Sequence, residues 1–149
     1  MKLTLILFVI FAFLGCEDEG EVILEEMEYV QSPCRGICPW YEIAISPGGH
    51  LRYIGHRYVT ISDTVYELLS NEQLSKLSAA FNECKYFSLK DEYLASGATD
   101  METVHTSVKM GGRYKSVWHY FGDFSAPAEL NNLYFRINTI LNTQRWTGR

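Results

Sequence analysis

The residues best suited to chemistry are two cysteines in the stretch SPCRGICPWYEI, which runs from 32 to 43. Cys34 and Cys38 have three residues between them, a spacing open to a redox couple, a metal clip or a structural disulfide. A redox-active pair usually has two intervening residues and lies at a helix N-terminus, where the thiol pKa is lowered. Here Pro39 follows at once and a strand pattern begins, so the context offers no helix N-terminus to activate a thiolate.

The same spacing occurs in zinc sites, but such a site needs further ligands. No second cysteine pair is present, so those ligands would have to come from distant histidines. A disulfide needs the least, because Gly36 permits a tight turn and closing so short a loop contributes about 2 kcal/mol. The sequence therefore favours a Cys34–Cys38 disulfide. A redox pair, a metal clip, and free cysteines or pairing with Cys84 remain alternatives, and no cofactor or metal site is assigned.

Four polar residues would suit a hydrolytic site if they converged: Asp100, His105, His119 and Asp123. A hairpin that turns at 111–112 sets His105 opposite Trp118 on one face of a sheet. His119 then lies on the other face, because adjacent strand residues point to opposite sides. The alternative to catalysis by Asp100 and His119 is that Asp100 caps a turn and His119 is a hydrogen-bonded sheet histidine. No familiar nucleophile, zinc-protease, phosphate-loop or dinucleotide motif occurs.

The chain begins with the pattern of an export signal. Lys2 precedes an uncharged run from Leu3 to Leu14, which is shorter than the roughly 20 residues of a membrane span. The run stops at Gly15 and Cys16, and acidic residues follow, an order that resembles a bacterial lipoprotein signal. We therefore expect residues 1–15 to be a signal peptide, Cys16 to carry the lipid and residues 16–21 to be a tether. The alternative is an ordinary signal peptide with an incidental cysteine.

We expect residues 22–149 to form a single domain. The charge of these residues excludes some classes of partner. The chain has 13 Lys and Arg against 18 Asp and Glu, a formal charge of −5. Loss of Lys2 with the leader makes the remainder more acidic, and no basic stripe is present. Nucleic acid is therefore not an expected partner, and the membrane contact would be made by the lipid anchor rather than by binding to anionic headgroups.

The elements expected around these residues are strands and two helices. Alternation in WYEIAIS, LRYIGHRYVTI and TVYEL predicts strands, and Gly-Gly pairs at 48–49 and 111–112 predict hairpins. Ser70 and Gln73 form a capping box before a helix from about Asn71 to Cys84. A second helical stripe follows Pro127. The expected fold is α+β: an antiparallel sheet built from two Gly-Gly hairpins, with two helices on one face and a long loop over 88–103.

Several separated motifs resemble one known family. CRGICPWY (34–41), TDMETVHTSV (99–108), HYFGD (119–123) and APAELNNLYFRI (126–137) occur in this order. Together they resemble the bacterial envelope family catalogued as a domain of unknown function, number 6438, whose members are often lipoproteins. The resemblance covers about residue 22 to Trp146. It implies an envelope location and carries over no catalytic residue.

We therefore expect an envelope lipoprotein, anchored through Cys16 in the outer membrane, that acts as a non-catalytic binding or structural module. Tyr, Phe and Trp number 10, 8 and 3, and some, such as Trp40, are predicted on the strand face opposite the core. Exposed aromatics favour an envelope protein or polymer as partner. The alternative is that a thin two-layer domain needs aromatic side chains to cover its core on both sides. The alternative function is a small envelope enzyme that uses Cys34 and Cys38 in redox chemistry, or Asp100 and His119 in hydrolysis.

Overall fold

The computed structural model of the chain describes residues 22–95 and 97–149. The expected signal peptide, the tether and Cys16 lie outside these residues. The described part contains seven strands: β1 Leu24–Gln31, β2 Trp40–Ser46, β3 His50–Arg57, β4 Thr64–Leu68, β5 Glu92–Tyr93, β6 Thr103–Met110 and β7 Arg113–Tyr120. It also contains three α-helices and a short 3-10 helix: α1 Asn71–Glu83, α2 Ala128–Leu141, α3 Gln144–Thr147 and the 3-10 helix Tyr86–Ser88. The expected α+β class is confirmed.

The strands form one sheet in the order β4-β3-β2-β1-β6-β7-β5. Five of its neighbouring pairs are antiparallel, whereas β5 runs parallel to β7, with Glu92 beside Trp118. The sheet is therefore mixed, and the expectation of a wholly antiparallel sheet is wrong at this edge. The cause is the segment 88–103, expected as a loop, which contributes an added edge strand.

Strand β1 lies at the centre of the sheet and was missed in the sequence. It pairs with β2 on one side and β6 on the other. Its sequence LEEMEYVQ contains three glutamates, and glutamate is depleted in β-strands. The alternation of buried Met27 and Tyr29 with exposed Glu26 and Glu28 was nevertheless a strand signal.

The two hairpins differ in their loops. Between β6 and β7, Met110 lies opposite Arg113 and His105 opposite Trp118, the register that the sequence predicts. The two residues between, Gly111 and Gly112, both have positive φ, as this tight turn requires. Between β2 and β3, Ser46 lies opposite His50, so the loop has three residues, 47–49.

Local sequence explains where the helices begin. Ser70 caps α1, and the reciprocal bonds of the expected capping box with Gln73 are present. Pro127 occupies the N-cap position of α2, where its missing N–H costs nothing.

Within the described residues no helix is long and apolar enough to cross a membrane.

The helices pack on one face of the sheet. The Tyr29 ring on β1 meets the Tyr134 ring on α2 at 5.9 Å, and Tyr41 on β2 donates to Asn138 Oδ1 at 2.8 Å. Trp146 folds back onto Tyr53, with ring centroids 4.9 Å apart. The opposite face, formed by the alternate residues of the same strands, carries no helix in the described part of the chain.

Candidate functional site

Three of the four motifs that carry the family resemblance meet at one end of the sheet. Ser32, before the first cysteine, donates its N–H to Thr103 O at 2.9 Å. Thr103 N–H in turn donates to Ser32 Oγ at 2.9 Å. Arg35 Nε lies 3.2 Å from Asp100 Oδ1. The cysteine loop and the segment 97–103 are therefore joined by two hydrogen bonds and an exposed ion pair.

The third motif, HYFGD, holds the segment 97–103 from its other side. The Tyr120 hydroxyl donates to Ala98 O at 3.0 Å and accepts from Met101 N–H at 3.3 Å. Gly122 O accepts from the N–H groups of residues 97 and 98 at 2.8 and 3.1 Å. A Cβ on Gly122 would lie 2.3 Å from the Tyr120 ring, so only glycine fits there. Three separated stretches of sequence thus form one packed junction.

Cys34 and Cys38 form a disulfide at this junction, with Cα atoms 5.6 Å apart. The Gly36 N–H donates to Cys34 Sγ at 3.2 Å, which fits the tight turn expected at that glycine. Both cysteines are partly exposed, and Ile37 at the tip of the loop projects into solvent. Pairing with Cys84 is excluded in this structure, because Cys84 is a free and buried thiol.

Glu102 is the residue of the junction that the sequence reasoning missed. Its Oε2 atom lies 3.5 Å from Cys38 Sγ. A disulfide sulfur carries no hydrogen, so this is a contact rather than a hydrogen bond. Ligand atoms of Cys34, Cys38 and Glu102 all lie within 4.8 Å of one another. The further ligands expected from the sequence were distant histidines, whereas the structure brings Glu102 of the TDMET motif to the cysteines.

The expected hydrolytic residues do not converge. Asp100 pairs with Arg35 on the surface. In the described residues Asp100 forms no hydrogen bond or ion pair with His105 or His119. The two histidines lie on opposite faces, as the register predicts, so no acid–base pair with Asp100 is assembled.

His119 lies on the helix side of the sheet and is 2% exposed. Its ring stacks on Tyr134 at 5.8 Å. Among the described residues its Nδ1 atom has no hydrogen-bond partner, so the interpretation as a fully hydrogen-bonded histidine is wrong for this nitrogen. Burial lowers the pKa of His119, and the charge of Asp123 opposes that shift. The ring is therefore neutral at pH 7.

Asp123 joins two segments of the backbone through its carboxylate. Its two carboxylate oxygens accept from Ala95 N–H and Ser125 N–H, each at 2.9 Å. The bonds with Ser125, followed by the one with Ala95, lower the Asp123 pKa. The carboxylate therefore ties the segment around 95 to the turn that precedes α2.

Cys84 ends α1 on its apolar side. It is 5% exposed, and burial raises its pKa to about 11. A protonated, enclosed thiol is a poor nucleophile. Cys84 is therefore a buried thiol without the features of a reactive cysteine.

The uncovered face of the sheet, here called the open face, carries a different set of groups. Between its margins it carries small side chains on β2, β6 and β7, namely Ala44, Ser46, Ser107 and Ser116, with Glu28 of the central strand β1 among them. Its margins are formed by Tyr66 and Leu68 on β4 and by Tyr114 and Trp118 on β7, all well exposed. The face is therefore a shallow trough with aromatic and apolar margins.

Two grooves in this trough meet at Glu28. One, of about 230 Å³, lies between Glu28 and Tyr114. The other, of about 90 Å³, runs from Glu28 towards Arg52 and Ile54. Glu28 and Arg52 are exposed. Within residues 22–95 and 97–149, neither forms an ion pair or a side-chain hydrogen bond.

Each tryptophan of the open face packs against a histidine ring. Trp118 meets His105 at 4.3 Å, and His105 Nε2 shares a hydrogen bond with Ser116 Oγ at 2.8 Å. Trp40 meets His56 at 4.5 Å, and His56 Nε2 lies 2.8 Å from Glu42 Oε1. Burial lowers the pKa of His105, while Glu28 acts in the opposite direction. These contacts orient the indole rings at the surface.

Comparison with known proteins gives a family and no function. No curated protein matches the sequence. A family model described as a domain of unknown function, DUF6438, matches residues 25–141. That span includes the cysteine loop, the segment 97–103 and every strand of the open face except the first residue of β1. The chain therefore belongs to the DUF6438 family.

Proposed function

We propose that this protein is a lipid-anchored, non-catalytic binding module of the bacterial envelope, and that its open face binds a protein partner. The observation that carries the proposal is the asymmetry of the sheet. One face is sealed by helices, whereas the other presents aromatic margins around a trough with two unpaired charges of opposite sign. Burial of such a face by a partner would remove apolar area from water and pair both charges.

The dimensions of the open face suit a weak or transient interface. From β4 to β7 there are five strand spacings, or about 24 Å. Strands of seven or eight residues give a length of roughly 25 Å, and so an area of roughly 600 Å². Transient complexes bury about 600 Å² or less on each partner.

The charges favour a protein over a uniformly charged polymer. Lys109 lies 3.4 Å from Glu25 and 3.2 Å from Glu26, and His56 pairs with Glu42. Among the described residues that line the grooves, only the charges of Glu28 and Arg52 are left for a ligand. A partner surface with a basic side chain at Glu28 and an acidic one at Arg52 would match both, while its apolar residues meet Tyr114 and Trp118.

The binding proposal is tested by capturing partner proteins from envelope membranes with the wild type and two variants. Each variant reverses one charge, one on the open face and the other on the helix side. Glu28→Arg changes the open face, and Glu129→Arg makes the same change in the first turn of α2. We expect one protein to be captured by the wild type and by Glu129→Arg, and to be lost with Glu28→Arg. Equal capture by all three would contradict the proposal, and capture of a glycan alone would replace the protein partner. Thermal unfolding checks that both variants fold.

The anchor is tested separately by metabolic labelling with a palmitate analogue. The wild-type chain should take up the label and fractionate with the outer membrane, because Cys16 is the expected acylation site. Cys16→Ser should lose the label. Label retained by Cys16→Ser, or an uncleaved chain in the cytosol, would contradict the lipoprotein assignment without bearing on the open face.

A further inference from the structure

We propose that Cys34, Cys38 and Glu102 form a second binding site, closed by the disulfide and opened by reduction, that takes a thiophilic divalent cation such as Zn²⁺. This site lies at the junction of the motifs and is independent of the open face. The observation that carries it is the carboxylate held against the disulfide. Glu102 Oε2 contacts Cys38 Sγ at 3.5 Å, although the oxidised sulfur offers it no hydrogen.

The donor atoms suit zinc chemistry. Thiolates and carboxylates bind Zn²⁺ at about 2.3 Å and about 2.0 to 2.2 Å, so neighbouring ligands in a tetrahedral site lie about 3.5 to 3.8 Å apart. The Glu102–Cys38 separation of 3.5 Å already has this value. All three ligand atoms are within 4.8 Å of one another. Three protein ligands leave a fourth position for water.

The surrounding backbone supports the same assignment. The Gly36 N–H that points at Cys34 Sγ at 3.2 Å would stabilise a thiolate more than a neutral sulfur, because a charged acceptor strengthens a hydrogen bond. Glu102 is held in place by its own backbone, whose carbonyl accepts from Phe121 N–H at 3.0 Å. Arg35 and Asp100 join the two loops from outside. The ligands are therefore carried by segments that stay joined when the disulfide opens.

Opening the site is a two-electron step. A dithiol reductant transfers two electrons and two protons to the Cys34–Cys38 bond, which becomes two thiols, while the reductant becomes a disulfide. Zn²⁺ then replaces the two thiol protons, which leave to solvent, and Glu102 binds as the carboxylate. Oxidation by a disulfide acceptor reverses the sequence and releases the cation.

The test uses Co²⁺ as a spectroscopic substitute for Zn²⁺. The full chain carrying Cys16→Ser is purified in detergent and reduced with a trialkylphosphine, which itself becomes the phosphine oxide with oxygen from water. We expect one Co²⁺ per chain, thiolate-to-cobalt absorption in the near ultraviolet, and loss of that absorption when Zn²⁺ is added. The unreduced chain should give none.

Matched variants assign the ligands. Glu102→Gln should weaken Co²⁺ binding by about tenfold or more, whereas Glu92→Gln, at an exposed carboxylate on β5, should leave it unchanged. Cys84→Ala should also bind normally, because Cys84 is buried. The proposal is overturned if the reduced chain gives no thiolate absorption, if Cys84→Ala removes it, or if Glu102→Gln binds as tightly as the parent chain.

Discussion

The two faces of the sheet share the same strands but differ in what surrounds them. On β1, Met27 and Tyr29 are enclosed beneath the helices, whereas Glu26 and Glu28 beside them are exposed. The covered face joins tyrosine rings to one another and to Asn138. The open face instead has small side chains around Glu28 and large, exposed side chains at its margins. The comparison supports the proposal that stability resides on one face and recognition on the other.

The largest effect that tests this division comes from neighbouring residues of β1. Met27→Ala should lower the free energy of unfolding by about 2 to 5 kcal/mol, because it leaves a cavity in the core. Glu28→Ala should change it by no more than about 0.5 kcal/mol. Urea unfolding followed by circular dichroism measures both. Comparable losses in the two variants would show that the open face is also structural.

The disulfide lies where the two faces end, and its loss should have the next largest effect. Cys34→Ser should lower the free energy of unfolding by about 2 kcal/mol, the chain-entropy contribution of a short closed loop. Chemical reduction of the wild type should cost a similar amount, since Cys84 forms no bond to be broken. A loss well below this value would mean that the crosslink does not restrict the unfolded chain as its loop length predicts.

The covered face should also make stability depend on pH. Burial lowers the pKa of His119, so the unfolded chain binds the proton more readily than the folded one. Stability is therefore lost as the pH falls below the unfolded value of about 6.5. His119→Phe should flatten the decline of the melting temperature between pH 7 and 5, and an unchanged decline in this variant would contradict the assignment. Asp123, whose pKa is lowered, acts only below about pH 4.

His105 sharpens the same comparison, because burial lowers its pKa as well. It lies on the open face and is only partly enclosed. His105→Gln should therefore flatten the pH dependence less than His119→Phe does. An equal or greater effect at His105 would contradict the distinction between the faces.

The smallest expected effect is at the margin of the open face. Tyr66→Ala should change the free energy of unfolding by no more than about 0.5 kcal/mol, because the ring is 74% exposed. A loss above about 2 kcal/mol would show that the margin belongs to the fold. The same variant should weaken capture of the partner.

Local patterns explain which parts of this structure could be predicted from sequence. The capping box at Ser70 and the Gly111–Gly112 turn act over a few residues, so the start of α1 and the register of β6 and β7 follow from them. Strand β1 is rich in glutamate, and its place at the centre of the sheet comes from pairing on both sides. That pairing is a tertiary effect which a single stretch of sequence does not show.

The candidate sites divide in the same way. The Cys34–Cys38 disulfide follows from a turn of three residues. The approach of Glu102 depends on a contact across 64 positions of the chain, and no spacing rule gives it. The trough of the open face includes residues of β1, so it could not be predicted without that strand. The edge strand β5 is two residues long, too short for an alternating pattern to appear.

Photocrosslinking in living cells tests the central claim most directly. A photoreactive phenylalanine is placed at Tyr114, which is 67% exposed on the open face, and at Phe135, which is 73% exposed on the helix side. The two sites are matched in exposure and differ only in the face that they report. The account predicts a discrete protein adduct from position 114 and none from position 135. No adduct at 114, or the same adduct from both positions, would contradict it.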